Sequence, residues 1–325
     1  MKIAIIRLSA LGDIIHTSIV VQFIRRHFIG AEITWFVDEK FGSIVELLSG
    51  VRAIALPLKD KKFSKSFEIL RSFRGEFDII IDFQGLIKSA LVARVLGKNI
   101  AGFDKNSIKE PFASIFYNHK FSVDYNENII LRNLTLASRA LGFNFSQDEI
   151  IQKEPCFSSN LPLHLTLNLP QNILIAPFAS EPSKCYDKFK DVINLLKDYE
   201  INIIAGGAKE HQIAKQIANN THAKVLEPMN LMQVVNFMRG VGLVIGNDSG
   251  ITHLAWAQNR PSITIFGNRP SHRNSFTTPV NCVIDTGKKI DARNIDKSDY
   301  CINEIEPTNI ANLAKKILNL ELKNG

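Results

Sequence analysis

Short, continuous apolar runs rich in Ile and Val recur along this chain and alternate with longer stretches of helical periodicity. A strand that is apolar on both faces needs cover on both, and a parallel sheet flanked by helices supplies it. In the first half such runs are 3–8, 33–37, 78–83 and 100–103. In the second they are 173–177, 201–205, 224–226, 243–245, 262–266 and 282–284. The pattern predicts an α/β protein with two doubly wound, mostly parallel sheets. Periodicity breaks near 150–170, around Pro155, Pro162 and Pro170. A chain of 325 residues has room for two domains of about 150 residues each. The expected domains are 1–160 and 161–325, with a last helix near 309–322 free to pack on either. Ligands of open α/β sheets bind beyond the carboxyl ends of the strands, so two facing domains would form a cleft there.

Several turns that follow these strands carry chemistry. Gly246-Asn247-Asp248-Ser249-Gly250-Ile251-Thr252-His253 joins an apolar run to an apolar helical stretch. The first turn of a helix has amides without intrahelical partners, and its dipole stabilises a phosphate by about 0.3–1 kcal/mol. Glycine lets the backbone approach such a ligand closely. By itself this turn suggests a phosphate site, and His253 reads equally as a helix-packing histidine. Asp13, in Ser9-Ala10-Leu11-Gly12-Asp13-Ile14-Ile15-His16, reads either as a helix N-cap or as a general base. An unperturbed Asp, with a pKa of about 3.9, is a weak base at neutral pH, so the second reading expects burial to raise it. No GxGxxG follows the first strand, which weakens a dehydrogenase reading.

Lys88, in Asp82-Phe83-Gln84-Gly85-Leu86-Ile87-Lys88, is either an exposed helix lysine or a cation facing a ligand. The mixed stretch 108–118 reads by composition as a loop entering a packed helix. The basic cluster 59–65 is either a solvated face or a site for phosphates and anionic lipid. Lys184 follows the first strand of the second half, where it could neutralise a departing diphosphate.

The net charge of +7 favours an anionic partner, whether nucleotide, phospholipid or nucleic acid. No recognisable nucleic-acid-binding motif is present, so nucleic acid is not expected. Four scattered cysteines without a CxxC pair suggest neither a zinc site nor a disulfide framework. The chain opens directly on a strand and has no run of about 18 apolar residues, so a cytosolic protein that can visit a membrane surface is expected.

Together, the segments 9–17, 82–90, 109–118 and 248–253 resemble the lipopolysaccharide heptosyltransferases, and the likeness runs nearly end to end. The stretch Glu110-Pro111-Phe112-Ala113-Ser114-Ile115-Phe116-Tyr117-Asn118 is similar to the branch that adds the first heptose to Kdo. The resemblance implies a GT-B fold of two facing Rossmann-like domains, the N-terminal one binding acceptor and the C-terminal one donor. It implies an inverting transfer of heptose from ADP-L-glycero-β-D-manno-heptose to Kdo2–lipid A. No metal and no cofactor are implied. The setting implied is the cytoplasmic face of the inner membrane, with its anionic surface as a partner. Residue by residue, Asp13 looks like the base on the acceptor hydroxyl and Lys184 like the lysine at the donor diphosphate and sugar. Asp248, Ser249, Gly250 and His253 match the donor motif. Ser180 matches a phosphate-binding hydroxyl, Met229 a residue beside adenine, and Glu210 one near the ribose. Lys88, Lys109, Lys59, Lys61 and Lys62 correspond to basic residues on the acceptor side. Lys109 replaces an arginine and so gives up a bidentate fork for a point charge. The rival readings are a family member adding a later heptose and a nucleotide-sugar epimerase of the same fold.

Overall fold

The protein is described here by a computed structural model covering residues 1–58, 63–159 and 171–324. The chain divides into two compact units, Met1–Ser158 and Ser159–Gly325. The first runs β1 (Lys2–Ile6), α1 (Leu11–His27), β2 (Glu32–Asp38), α2 (Gly42–Val45), β3 (Val51–Leu56) and α3 (Phe63–Ser72). It continues with β4 (Ile79–Asp82), α4 (Ile87–Leu96), β5 (Ile100–Phe103), β6 (His119–Phe121), α5 (Ile129–Leu141) and α6 (Gln147–Ile151). Its sheet has the order β3-β2-β1-β4-β5-β6, and every pairing is parallel. The central strands are the uninterrupted apolar runs: in β1, Ile3, Ala4, Ile5 and Ile6 are all buried. Helix α1 packs on α5, and Thr17 Oγ1 fastens the pair by accepting from the buried Asn133 Nδ2 at 3.0 Å. Helix α4 packs beside α3 and beside a 3₁₀ turn at Pro111–Phe116. Arg25, Arg26 and His27 in the last turn of α1 complement the helix dipole.

The second unit runs β7 (Asn172–Ala176), α7 (Phe189–Leu195), β8 (Glu200–Ile203), α8 (Ala208–Ala218), β9 (Lys224–Val225) and α9 (Leu231–Met238). Then come β10 (Leu243–Asn247), α10 (Gly250–Ala257), β11 (Ser262–Phe266), α11 (Ser271–Asn274), β12 (Asn281–Asp285) and α12 (Pro307–Asn324). Its sheet, β12-β11-β10-β7-β8-β9, is again wholly parallel. The helix that the sequence allowed to return to the first unit packs on its own: α12 lies on α7 and reaches β11, burying Ile310, Ala314, Ile317 and Leu318. Gly246 in β10 is obligatory, because a Cβ there would stand 2.5 Å from the Ala176 carbonyl oxygen of β7. No helix among the described residues is long and apolar enough to cross a membrane.

In both sheets the strand order reverses at the centre, between β1 and β4 in one and between β7 and β10 in the other. Such switch points are where doubly wound sheets open a crevice for ligands. The start of α1 carrying Asp13 and the turn carrying Gln84 follow β1 and β4; the turns carrying Lys184 and Asp248 follow β7 and β10.

Candidate active site

In the second unit the switch point gathers a charged cluster. Asp248 is almost wholly buried, and its Oδ2 receives Lys184 Nζ at 2.7 Å while its Oδ1 meets His253 Nε2 at 2.9 Å. Asn274 Nδ2 lies 3.4 Å from Oδ2. Burial alone would push the Asp248 carboxyl up; Lys184 and His253 more than reverse this and hold it well below the usual carboxylate range. His253 reaches the carboxylate from the first turns of α10, five residues further on. The site is thus an ionised acceptor of hydrogen bonds flanked by a cation.

The frame around it comes from residues that sequence reasoning gave no role. Asn247 closes β10 by donating from Nδ2 to the Pro177 carbonyl at 2.7 Å and accepting from the Tyr186 amide at 3.1 Å. This ties the loop bearing Lys184 to the turn bearing Asp248. Thr252 Oγ1 donates to the Asn247 carbonyl at 2.8 Å, which sets the angle at which α10 leaves the strand. Ser249 caps that helix, yet its buried hydroxyl has no hydrogen-bond partner among the described residues. Polar groups left so at a helix start are the kind a ligand satisfies. Glu181 holds Arg269 at 2.7 Å and Lys297 at 3.3 Å, so further cations stand near the Lys184 loop. Ser180 is exposed on that loop. Glu210 sits at the head of α8, its Oε2 accepting from the Gly206 amide at 2.8 Å. Met229 is half-buried on the segment before α9.

In the first unit Asp13 is the third residue of α1, not its N-cap, which is Ala10. The carboxylate reaches back to the Ala10 amide at 3.3 Å and pairs with Arg7 Nη2 at 2.7 Å. The burial expected of a general base is not found, because the side chain remains 43% exposed. Arg7 is buried and is fixed in turn by donating to the Phe83 carbonyl at 2.6 Å. Gln84 Oε1 accepts from the Leu8 amide at 2.7 Å and the Ser9 amide at 3.3 Å. The turn after β4 therefore holds the turn after β1. That second turn is itself anchored on Asp82, whose Oδ1 takes the Gln84 amide and whose Oδ2 takes Ser89 Oγ at 2.8 Å and Tyr117 Oη at 2.7 Å. Burial raises the Asp82 carboxyl despite these donors. Gly85, at φ +68°, is where a Cβ would collide with Ile108 at 2.4 Å. Lys88 and Lys109 are exposed near this turn, whereas Lys59, Lys61 and Lys62 lie outside the described residues.

The structure thus brings together Lys184, Asp248, Ser249, Gly250 and His253 in one unit, and Asp13 with Arg7 in the other. The residues missed are Arg7, Gln84 and Asn247: Arg7 meets Asp13 six residues on, but the bonds that fix all three reach partners 70 to 76 residues away, and no local spacing announces them.

The family model described as glycosyltransferase family 9 (heptosyltransferase) matches residues 67–295. The chain is 45% identical to "Lipopolysaccharide heptosyltransferase 1" of Campylobacter coli, over 98% of this chain and 99% of that one. It is 27% identical to the protein of the same name from Escherichia coli K12, over 82% and 88% of the two chains. Among solved structures, E. coli heptosyltransferase WaaC with ADP-2-deoxy-2-fluoro heptose superposes with a TM-score of 0.77 at 22% identity, covering 97% of this chain and 99% of that one. E. coli ADP-heptose lps heptosyltransferase II gives 0.71 at 20% identity, covering 99% of each chain. The fold class is GT-B, with two parallel-sheet α/β units.

Proposed function

The chain belongs to glycosyltransferase family 9, the heptosyltransferases, and from this premise we propose that it places L-glycero-D-manno-heptose on the Kdo of Kdo2–lipid A. It is a transferase acting in lipopolysaccharide core synthesis. The observation that carries the finer reading is the 45% identity, over the whole length, to a protein named lipopolysaccharide heptosyltransferase 1.

The donor is ADP-L-glycero-β-D-manno-heptose and the second unit holds it. Asp248, kept ionised, accepts hydrogen bonds from sugar hydroxyls, while the Ser249 hydroxyl and the amides at the start of α10 take phosphate oxygens. Lys184 has three donors, so it can keep Asp248 and still reach a phosphate oxygen. It neutralises the charge that develops as ADP departs. Ser180, Met229 and Glu210 complete the donor set, at phosphate, adenine and ribose.

The first unit supplies Asp13, which takes the proton of the Kdo hydroxyl as that oxygen attacks the anomeric carbon from the side opposite ADP. The configuration inverts in this single displacement. Positioned general bases contribute about 10²–10⁴ in rate. Arg7 aligns the carboxylate without occupying both of its oxygens. Lys88, Lys109 and the cluster of Lys59, Lys61 and Lys62 supply the positive charge for binding the anionic acceptor. No metal takes part, and the protein works at the anionic cytoplasmic face of the inner membrane.

The test is transfer from ADP-heptose to purified Kdo2–lipid A in EDTA, following ADP release and acceptor mass together. One heptose added without metal is the expected result. A second reading comes from the likeness to heptosyltransferase II. Transfer only to a core already bearing heptose would replace the first reading with it.

A further inference from the structure

The first unit presents apolar side chains to solvent where two elements adjoin. The 3₁₀ turn Pro111–Phe116 buries Ala113 and Ser114 and turns Phe112 and Ile115 outward, 71% and 68% exposed. Residues three apart eclipse in a 3₁₀ helix, so these two side chains share one edge. Helix α4, against which the turn packs, adds Ile87 and Leu91, one turn apart on its own outer face and both exposed. Isolated exposed hydrophobics are ordinary on soluble proteins; several on adjoining elements are not.

This edge is held rigidly. Glu110 Oε2 accepts the Ile87 amide at 2.7 Å, joining the head of the turn to the head of α4. Ser114 Oγ donates to the Pro111 carbonyl at 2.8 Å within the turn. Tyr117 closes it by donating to the buried Asp82 at 2.7 Å. The apolar pair is thus fixed outward, and collapse onto the protein would break that frame. Among the charges beside it, Lys88 and Lys109 are exposed and positive, and the one acid in the turn's head, Glu110, is half-buried and tied to the Ile87 amide. An apolar tip with a cationic rim matches the layering of a bilayer that bears anionic headgroups over acyl chains.

We propose that this edge, with Phe112 and Ile115 at its tip, inserts into the surface of an anionic phospholipid bilayer. The proposal rests on the reading that the acceptor is a membrane lipid, and it names the face that reaches that membrane. The full chain is tested by co-sedimentation with vesicles of phosphatidylcholine mixed with phosphatidylglycerol, against vesicles of phosphatidylcholine alone. The wild type sediments with the anionic vesicles. The double variant Phe112→Ser, Ile115→Ser partitions about tenfold or more weakly, as expected for two apolar side chains withheld from the acyl layer. Ile29→Ser, at an isolated site 97% exposed, partitions as the wild type does. Equal partitioning of the double variant and the wild type overturns the insertion. So does a self-association seen by ultracentrifugation that the double variant abolishes, with no vesicle binding by the wild type; a second copy of the chain would then cover the face.

Transfer assays separate this proposal from the reading beneath it. With acceptor dispersed in non-ionic detergent, the double variant and the wild type turn over equally; with acceptor in vesicles, the double variant is slower. A wild type inactive on both forms of the acceptor defeats the reading of that lipid as acceptor, and the sedimentation result still decides the membrane face.

Discussion

Asp13 and Asp248 are both paired carboxylates, and their surroundings assign them different work. Asp13 is partly open to solvent and held by one buried arginine, an arrangement that suits the proposed meeting with a substrate proton. Asp13→Ala is expected to abolish transfer and leave ADP binding intact; loss of both in a calorimetric titration would make Asp13 a structural cap. Asp248 is enclosed, and Lys184→Met would leave it buried without its main cation. Breaking a buried pair from one side costs about 3–5 kcal/mol, so urea unfolding should show a loss of that order together with weaker use of ADP-heptose. A variant as stable as the wild type would remove the pair from the account of the fold. The pH dependence has a definite sign. A carboxyl depressed in the folded state contributes stability above its unfolded value of 3.8, and the contribution disappears as pH falls through the folded value. Stability of the wild type should therefore fall more steeply below 3.8 than that of Asp248→Asn; parallel curves would show that the pairing does not act on stability.

At the scale of elements, the turns after central strands depend on one another across the sheet. Tyr117→Phe removes a donor from the buried Asp82 and should cost about 1–3 kcal/mol. The turn carrying Gln84, and with it the 8–10 segment that leads into Asp13 on α1, should loosen, which a fall in kcat at unchanged KM for ADP-heptose would report. Unchanged stability and rate would mean that Ser89 and the amides hold Asp82 without help. The central strands were legible in the sequence because both faces are covered and the runs are apolar without interruption. β3 and β6 were not. They lie at the two edges of their sheet, and Arg52 in one and His119 and Lys120 in the other break the apolar signal that marks a strand. The same limit applies to the site. Turns such as 248–253 carry their chemistry in adjacent residues. Arg7, Gln84 and Asn247 become visible only when the sheet brings distant segments into register.

At the scale of the whole molecule, the excess of positive charge has a kinetic consequence. Attraction between a chain of net charge +7 and an anionic lipid acceptor is screened by salt, with a Debye length of about 10 Å at 0.1 M. Raising ionic strength should therefore increase KM for vesicle-borne acceptor and leave kcat nearly constant. A salt effect confined to kcat would place the charge dependence in the chemical step instead. The placement of α12 bears on how the chain reaches its folded form during synthesis. Domains fold largely in the order in which they leave the ribosome. The first unit has all its strands and helices once residue 158 has emerged. The second must wait for residues 307–324, because Ile310, Ala314, Ile317 and Leu318 fill a core whose first wall, at β7, was translated more than a hundred residues earlier. While translation continues, the nascent second unit carries an open apolar face on α7 and β11, and that interval is when a chaperone would find the chain.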